Sequence, residues 1–174
     1  MDTRNRSTLF EGLVVKIEQM EVRVGEKGWH VFQVVRHPGG VGVLPLHDDG
    51  TVTLIRQLRP AVGRRLLEIP AGRLDPGEDP AECGRRELTE ETGLVAGSIR
   101  PLGFFYPSPG VFDEMLHLYL GTGLSQGDPH PEHYEEIETV RIPLEEALRM
   151  AADGGEILDA KTIVALLRAG RFAR

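Results

Sequence analysis

Cysteine, lysine and long apolar runs are all scarce in this chain. Its 174 residues contain one cysteine, Cys83, so no intrachain disulfide forms and a reducing cytoplasm is the default compartment. Only Lys16, Lys27 and Lys161 are lysines, which leaves 17 of the 20 basic residues as arginine. A GC-rich genome accounts for that bias, and so does recruitment of planar guanidinium forks for phosphate; the first is the more general cause. Excess positive charge is missing as well. The balance of 27 acidic against 20 basic residues is −7, which argues against a phosphate-backbone partner such as DNA. No apolar run approaches the roughly 20 residues that span a bilayer, and Leu9-Phe10 is cut by Glu11 before a signal-like segment develops. A soluble, unexported protein with neither a membrane nor a nucleic-acid partner is expected. Internal repeats, low-complexity tracts and interdomain linkers are absent too. The length is that of one ordinary domain, enough to bury roughly 70% of the unfolded surface without metals or disulfides as staples.

Turn formers are plentiful. Glycine and proline together number 33 (21 and 12), against an expected ~12% of residues, which disfavours an all-helical bundle. Imperfect alternation from Leu13 to Val24 and the β-branched, aromatic run Val31 to Val35 predict an N-terminal antiparallel meander. Strands are expected over Val41 to Leu46 and Thr51 to Leu58. Between them His47-Asp48-Asp49-Gly50 is a turn, so these two strands read as a hairpin. Asp79-Pro80-Ala81-Glu82 then supplies an N-cap acceptor, a proline at the first helical position and an acid at the third. Gly93 closes that helix as a residue suited to positive φ. Further strands are expected at Ile99 to Tyr106, Met115 to Leu120 and Glu138 to Ile142, a polar surface loop at Gly121 to Tyr134, and helices at Leu144 to Ala152 and Ala160 to Leu167. Strands first, a central helix, strands again and helices last indicate an α+β fold with mixed sheets.

The chemistry concentrates between Gly72 and Leu94. On a helix, Glu87, Glu90 and Glu91 share one arc because they are three and four residues apart. Like charges so placed repel by a few tenths of a kcal/mol per pair, which Arg85 and Arg86 offset in part, and a divalent cation reverses the sign. Carboxylate oxygens without a Cys/His quartet suit Mg²⁺ or Mn²⁺, and partly hydrated Mg²⁺ commonly works with substrate phosphates. Gly84, in line with Glu87 and Glu91, leaves room for a ligand or packs tightly on a sheet; mid-helix glycine costs about 0.5–1 kcal/mol relative to alanine, so one of the two compensates. Arg86 is placed to orient Glu78 or Glu90, or to touch phosphate. His130, Glu132 and His133 mimic a metal site, but no paired-cysteine or HExxH pattern supports them and a solvated loop explains them.

These residues resemble the Nudix hydrolase signature. Gly72, Glu78, Arg86, Glu87, Leu88, Glu90, Glu91, Gly93 and Leu94 satisfy each of its positions, and with seven fixed residue types a chance match is on the order of 10⁻⁸ per start. The resemblance implies an α/β/α sandwich around a mixed sheet and hydrolysis of a nucleoside diphosphate linked to another moiety. It also implies that Glu87 and Glu91 are the principal metal ligands, joined by the Ala71 carbonyl and supported by Glu90. The metal neutralises diphosphate oxygens and lowers the pKa of the attacking water.

Beyond that box the chain is similar to the ADP-ribose pyrophosphatase branch. The stretches Arg56-Gln57-Leu58-Arg59-Pro60 and Leu67-Glu68-Ile69-Pro70-Ala71-Gly72 carry the likeness, as does Ser108-Pro109-Gly110 followed by Asp113-Glu114. By resemblance Arg59 contacts the diphosphate and Glu114 a ribose hydroxyl. Relatives are commonly dimers whose N-terminal strands reach across to the partner, with aromatic residues stacked on adenine; Phe10 and Trp29 are this chain's candidates, although a strand tryptophan is more often core. The expected division is a dimer-forming strand region, residues 1–40, and a catalytic domain, residues 41–174. The base that activates water comes, by resemblance, from the loop before the penultimate strand. Glu135 aligns best, with Glu132 and Glu136 as neighbours and Glu90 as a competitor. Expected is a Mg²⁺-dependent homodimeric enzyme that splits ADP-ribose into AMP and ribose 5-phosphate, the alternatives being another nucleotide sugar or a module that binds ADP-ribose without turnover.

Overall fold

The computed structural model describes residues 1–131, 133, 136–152 and 154–170. Ten strands and three α-helices alternate along them: β1 (Thr3–Glu11), β2 (Lys16–Arg23), β3 (Trp29–Arg36), β4 (Gly40–Pro45), β5 (Thr51–Arg59), β6 (Arg64–Glu68), β7 (Ala71–Arg73), α1 (Pro80–Thr92), β8 (Leu94–Phe105), β9 (Leu116–Gln126), β10 (Glu138–Pro143), α2 (Leu144–Ala152) and α3 (Ala160–Ala169). They form three sheets, ordered β1-β2-β3, β10-β5-β6 and β7-β4-β9-β8. The first two are antiparallel. In the third, β4 runs parallel to β9 while the outer pairings are antiparallel, so the sheet is mixed as expected.

β4 explains the layering. All six of its residues are buried, so it is covered on both faces, and its alternate side chains reach different partners. Val41 and Val43 face α1, where they pack against Gly84. Leu44 joins Leu118, Leu120, Ala165 and Leu166 in the larger core, which α2 and α3 complete. Helix, sheet and helix therefore stack as the α/β/α sandwich that the signature implied. Among the described residues no helix is long and apolar enough to cross a membrane.

Two expectations are overturned. β4 and β5 do not pair as a hairpin: the turn between them closes with the Leu46–Val52 bridge and the His47 amide on the Thr51 carbonyl, but the two strands join different sheets. Complete burial of β4 is met by central pairing with β7 and β9, which a hairpin register with β5 excludes. The segment from Gly121 is not a loop until after Gln126, because β9 continues to that residue opposite Leu94 to Thr122-facing Ser98 of β8. Its glycines mark close approach rather than a turn. A Cβ on Gly121 would lie 3.2 Å from Val43, and one on Gly97 would lie 3.1 Å from the Gly123 carbonyl oxygen.

The N-terminal sheet stands apart from these cores. Every residue of β1 is exposed, and Phe10, Trp29, Val31 and Phe32 remain open to solvent. Its tether to the rest is the end of β3, where Val35 bonds the Val111 carbonyl and the Asp113 amide and Arg36 pairs with Asp113 at 2.9 Å.

Candidate active site

α1 begins and ends as its sequence dictates. The Asp79 carboxylate accepts the amides of Ala81 and Glu82, Pro80 occupies the first turn, and Gly93 closes the helix at φ 73°. These stops place the acidic arc against the short strand β7. There the Glu91 carboxylate, buried at 4% exposure, accepts the Ala71 amide at 2.8 Å. The Glu87 carboxyl lies directly over Gly72: a Cβ on that glycine would fall 1.9 Å from the carboxyl carbon and 2.0 and 2.2 Å from its oxygens. Gly72 thus leaves a notch that a side chain fills. Gly84 resolves the other way from a ligand cradle, since its absent Cβ leaves room for Val43 (2.9 Å) and Val41 (3.1 Å) of β4.

Arg86 organises the carboxylates. Its guanidinium donates to Glu78 from Nε at 3.0 Å, and from Nη1 to Glu87 at 2.7 Å and to Glu90 at 3.0 Å. The strained acidic patch expected from spacing alone is therefore compensated at its centre. Arg86, with a backbone bond from the Asp75 amide, holds the Glu78 carboxyl down at about 2, while the same ion pairs raise Arg86 further above its ordinary value. Burial, and secondarily Glu78, pushes the Cys83 thiol up to about 12, so it is an inert core group.

These groups suit a hard divalent cation. Ala71, Glu87, Glu90 and Glu91 offer only oxygen, and Glu87 and Glu91 converge on the Ala71-Gly72 backbone. Among the described residues no three acids or imidazoles are already gathered at metal distance. Arg86 holds Glu87 and Glu90 in this arrangement, so a cation must compete with it for them.

Ala71 and Gly72 also line one side of a cavity of about 320 Å³, whose other walls include His37, Arg59, Glu114 and Lys161. Arg59 and Glu114 are therefore brought to the Ala71-Gly72 wall from strands and loops far apart in the chain. Arg59 forms a bidentate pair with Glu68, Nε to Oε1 at 2.8 Å and Nη2 to Oε2 at 2.7 Å. Burial raises the Glu114 carboxyl above its usual range, with His37 at 3.4 Å opposing the shift. Phe10 and Trp29 do not line this cavity: Phe10 is 55% exposed, and the Trp29 ring lies 4.2 Å beneath the Arg4 guanidinium. Glu135 and Glu132 fall outside the described residues. Their neighbour Glu136 is tied to Arg65 of β6, and the His130 amide bonds the Glu90 carbonyl at 2.8 Å.

Sequence reasoning missed His37, Glu68, Asp159 and Lys161. Glu68 was read only as part of the stretch that carries the family likeness, with no role of its own, and Lys161 only as one of three lysines.

Comparison with known proteins agrees with this geometry. Residues 36–162 match the model of the NUDIX domain. The chain is 35% identical over 163 residues to an ADP-ribose pyrophosphatase of Bacillus subtilis, covering 92% of this chain and 88% of that protein. It is 38% identical over 181 aligned positions to a GDP-mannose pyrophosphatase of Yersinia enterocolitica, covering 87% and 94%. A crystal structure of an ADP compounds hydrolase superposes with a TM-score of 0.85 over 98% of this chain and 92% of its own; at 22% identity this likeness establishes the fold alone.

Proposed function

This chain belongs to the NUDIX domain family, and from that premise we propose that it is a Mg²⁺-dependent pyrophosphohydrolase that cleaves ADP-ribose to AMP and ribose 5-phosphate. One observation carries the reading: Ala71 and Gly72, against which the Glu91 and Glu87 carboxylates lie, wall the same cavity as Arg59, although nothing but the fold brings them together. The curated relative of Bacillus subtilis bears the matching activity in its name.

Ala71, Glu87, Glu90 and Glu91 would hold the divalent ion, which would supply neutralisation of diphosphate oxygens and acidification of a water. Arg59 presents a guanidinium to the diphosphate, a geometry that fixes phosphate oxygens by paired N–H donors. Glu114, half-buried, accepts a ribose hydroxyl. Arg86 neutralises Glu78 and keeps the acidic arc in register with β7. Water adds to one phosphorus, its proton passes to a carboxylate, and the bridging P–O bond to that phosphorus breaks to release the second phosphate ester. We assign that proton to Glu135, with Glu90, Glu132 and Glu136 as the competing carboxylates.

The GDP-mannose pyrophosphatase relative supports a second reading, a nucleotide sugar with another base. One experiment separates the possibilities. With Mg²⁺ and ADP-ribose, GDP-mannose or nucleoside triphosphates, products are followed by chromatography and binding by calorimetry. Preferential release of AMP and ribose 5-phosphate from ADP-ribose is expected. Preference for GDP-mannose refutes the base assignment, and binding without turnover makes the protein a regulatory module.

Two further parts of the reading rest on the N-terminal sheet and on Cys83. The open apolar side chains Phe10, Trp29, Val31 and Phe32 and the unpaired outer edge of β1 suit a second copy of this chain, with Phe10 and Trp29 serving the partner's adenine pocket. Light scattering should return twice the chain mass; a fully active monomer removes the shared pocket. A single buried thiol fits a reducing cytoplasm.

A further inference from the structure

Beside Arg59, on the same cavity wall, lies an ion-pair cluster that contains none of the signature acids. Glu68, at the end of β6, is 1% exposed and accepts both Arg59 and the Lys161 ammonium. Lys161, itself 8% exposed, also reaches Asp159 at 3.1 Å. Asp159 is the N-cap of α3, where its Oδ2 accepts the Thr162 amide at 3.0 Å and the Thr162 hydroxyl at 2.6 Å. That hydroxyl in turn accepts the Ile69 amide at 2.8 Å. The first turn of α3 is thereby stapled to the residues just before the Ala71-Gly72 notch.

Glu68 cannot be a passive tie. A carboxylate this deep is costly to keep ionised, and a single partner seldom compensates when the other side of the group is also dry. Burial pushes its carboxyl up, yet the Arg59 hydrogen bonds and the Lys161 charge together leave it below the usual range. The two cations divide the work differently. Arg59 is 37% exposed in its side chain and opens widely onto the cavity, whereas Lys161, on the same wall, is almost wholly buried and spends its ammonium on Glu68 and Asp159. Both bonds from Arg59 engage Nε and Nη2, which fixes the plane of the fork and so the direction of its remaining donors. Without Lys161 the carboxylate that sets this plane loses one of its two cationic partners.

We propose that Lys161 is a positioning residue for substrate binding, holding the Glu68 carboxylate in place and, through it, the Arg59 fork that faces the diphosphate. The inference rests on the reading of this cavity as the diphosphate site. It extends that reading to a residue on α3, 102 positions beyond Arg59, and it assigns Asp159 the task of keeping the ammonium on Glu68's side.

The test uses Lys161→Met, Lys161→Arg, Glu68→Gln and the charge-neutral double variant Glu68→Gln/Lys161→Met. Binding of inorganic diphosphate is measured by calorimetry without metal, and ADP-ribose turnover with Mg²⁺. Lys161→Met and Glu68→Gln should each weaken diphosphate binding about tenfold, the scale of one misplaced charge-assisted hydrogen bond. The double variant should lose about the same tenfold rather than a hundredfold, because both act along one route. KM should rise roughly in step while kcat changes less than about threefold, and Lys161→Arg should restore most of the binding. The Arg59 Nε–H resonance, observed by NMR without any ligand, should move in Lys161→Met and return in Lys161→Arg. A tenfold further loss on the Glu68→Gln background means that Lys161 touches the ligand itself, and it overturns the positioning role. So does an Arg59 resonance that stays put. Equal losses of melting temperature and kcat at constant KM reduce the cluster to a structural staple. If the wild type ignores diphosphate altogether, the cavity reading fails, and the resonance alone decides whether Lys161 controls Arg59.

Discussion

Replacing Gly72 by alanine probes the proposed metal site without removing any of its proposed ligands. Gly72 has no positive φ, so alanine adopts its backbone conformation freely. The new methyl group would nevertheless lie 1.9 Å from the Glu87 carboxyl carbon, and ordinary contact begins at 3.4 Å, so that carboxyl must retreat by about 1.5 Å. The obstacle is the far end of a flexible side chain, which makes the retreat cheap for folding. It is expensive for chemistry, because a displacement on the order of 1 Å at a reacting centre costs about 10²-fold. Gly72→Ala should therefore melt within a few degrees of the wild type and bind metal more weakly. Its kcat/KM with ADP-ribose should fall about 10²-fold, with partial recovery at high Mg²⁺ as the ion pulls Glu87 back. Differential scanning fluorimetry, metal titration and product assays read the three quantities. Near wild-type turnover at low Mg²⁺ would falsify the placement of Glu87 as a ligand over this notch; a collapse in stability would show instead that the notch serves packing.

Glu87→Gln and Glu91→Gln should each lose more activity than the roughly 10–100-fold that follows loss of an outer partner of a metal ligand. The Arg86 bond to Glu87 removes the gain in metal-free stability that spacing alone suggests, so melting in EDTA should not rise in Glu87→Gln; a clear rise means that the acidic arc is strained after all. Glu135→Gln should lower kcat about 10²–10⁴-fold with KM and metal affinity nearly unchanged, and an unaltered kcat transfers the base to another of the four candidate acids. For Glu78 the folded pKa, about 2, lies below the unfolded 4.5, so its stabilising contribution is complete above 4.5 and disappears as pH falls towards 2. Glu78→Gln should therefore be less stable than the wild type at neutral pH, and the gap in urea midpoints should close across that acid window; a gap independent of pH rules out the Arg86 pair as its source.

The relation between sequence and structure divides along the reach of each interaction. Asp79, Pro80 and Gly93 bound α1 through contacts within four residues, so its limits, and the shared face of Glu87, Glu90 and Glu91, could be read from the chain alone. The same holds for α2, whose Leu144–Ala152 span matches its amphipathic period. The β4-β5 turn was also read from local residues, yet the strands part because β4 satisfies its backbone against β9, more than 70 residues away. Glycine misled for the same reason: at Gly121 and Gly97 it answers to a neighbouring strand rather than to a turn.

The site divides in the same way. Residue types at fixed spacing determined the acidic helix and the family, because a row of carboxylates on one helix face is a property of one segment. Tertiary structure alone decided that the Glu87 carboxyl occupies the Gly72 notch and that Lys161 reaches Glu68 across 93 positions. Each of these depends on two backbones being brought within a few ångströms, and burial energy summed over the whole core, rather than any local preference, sets that distance.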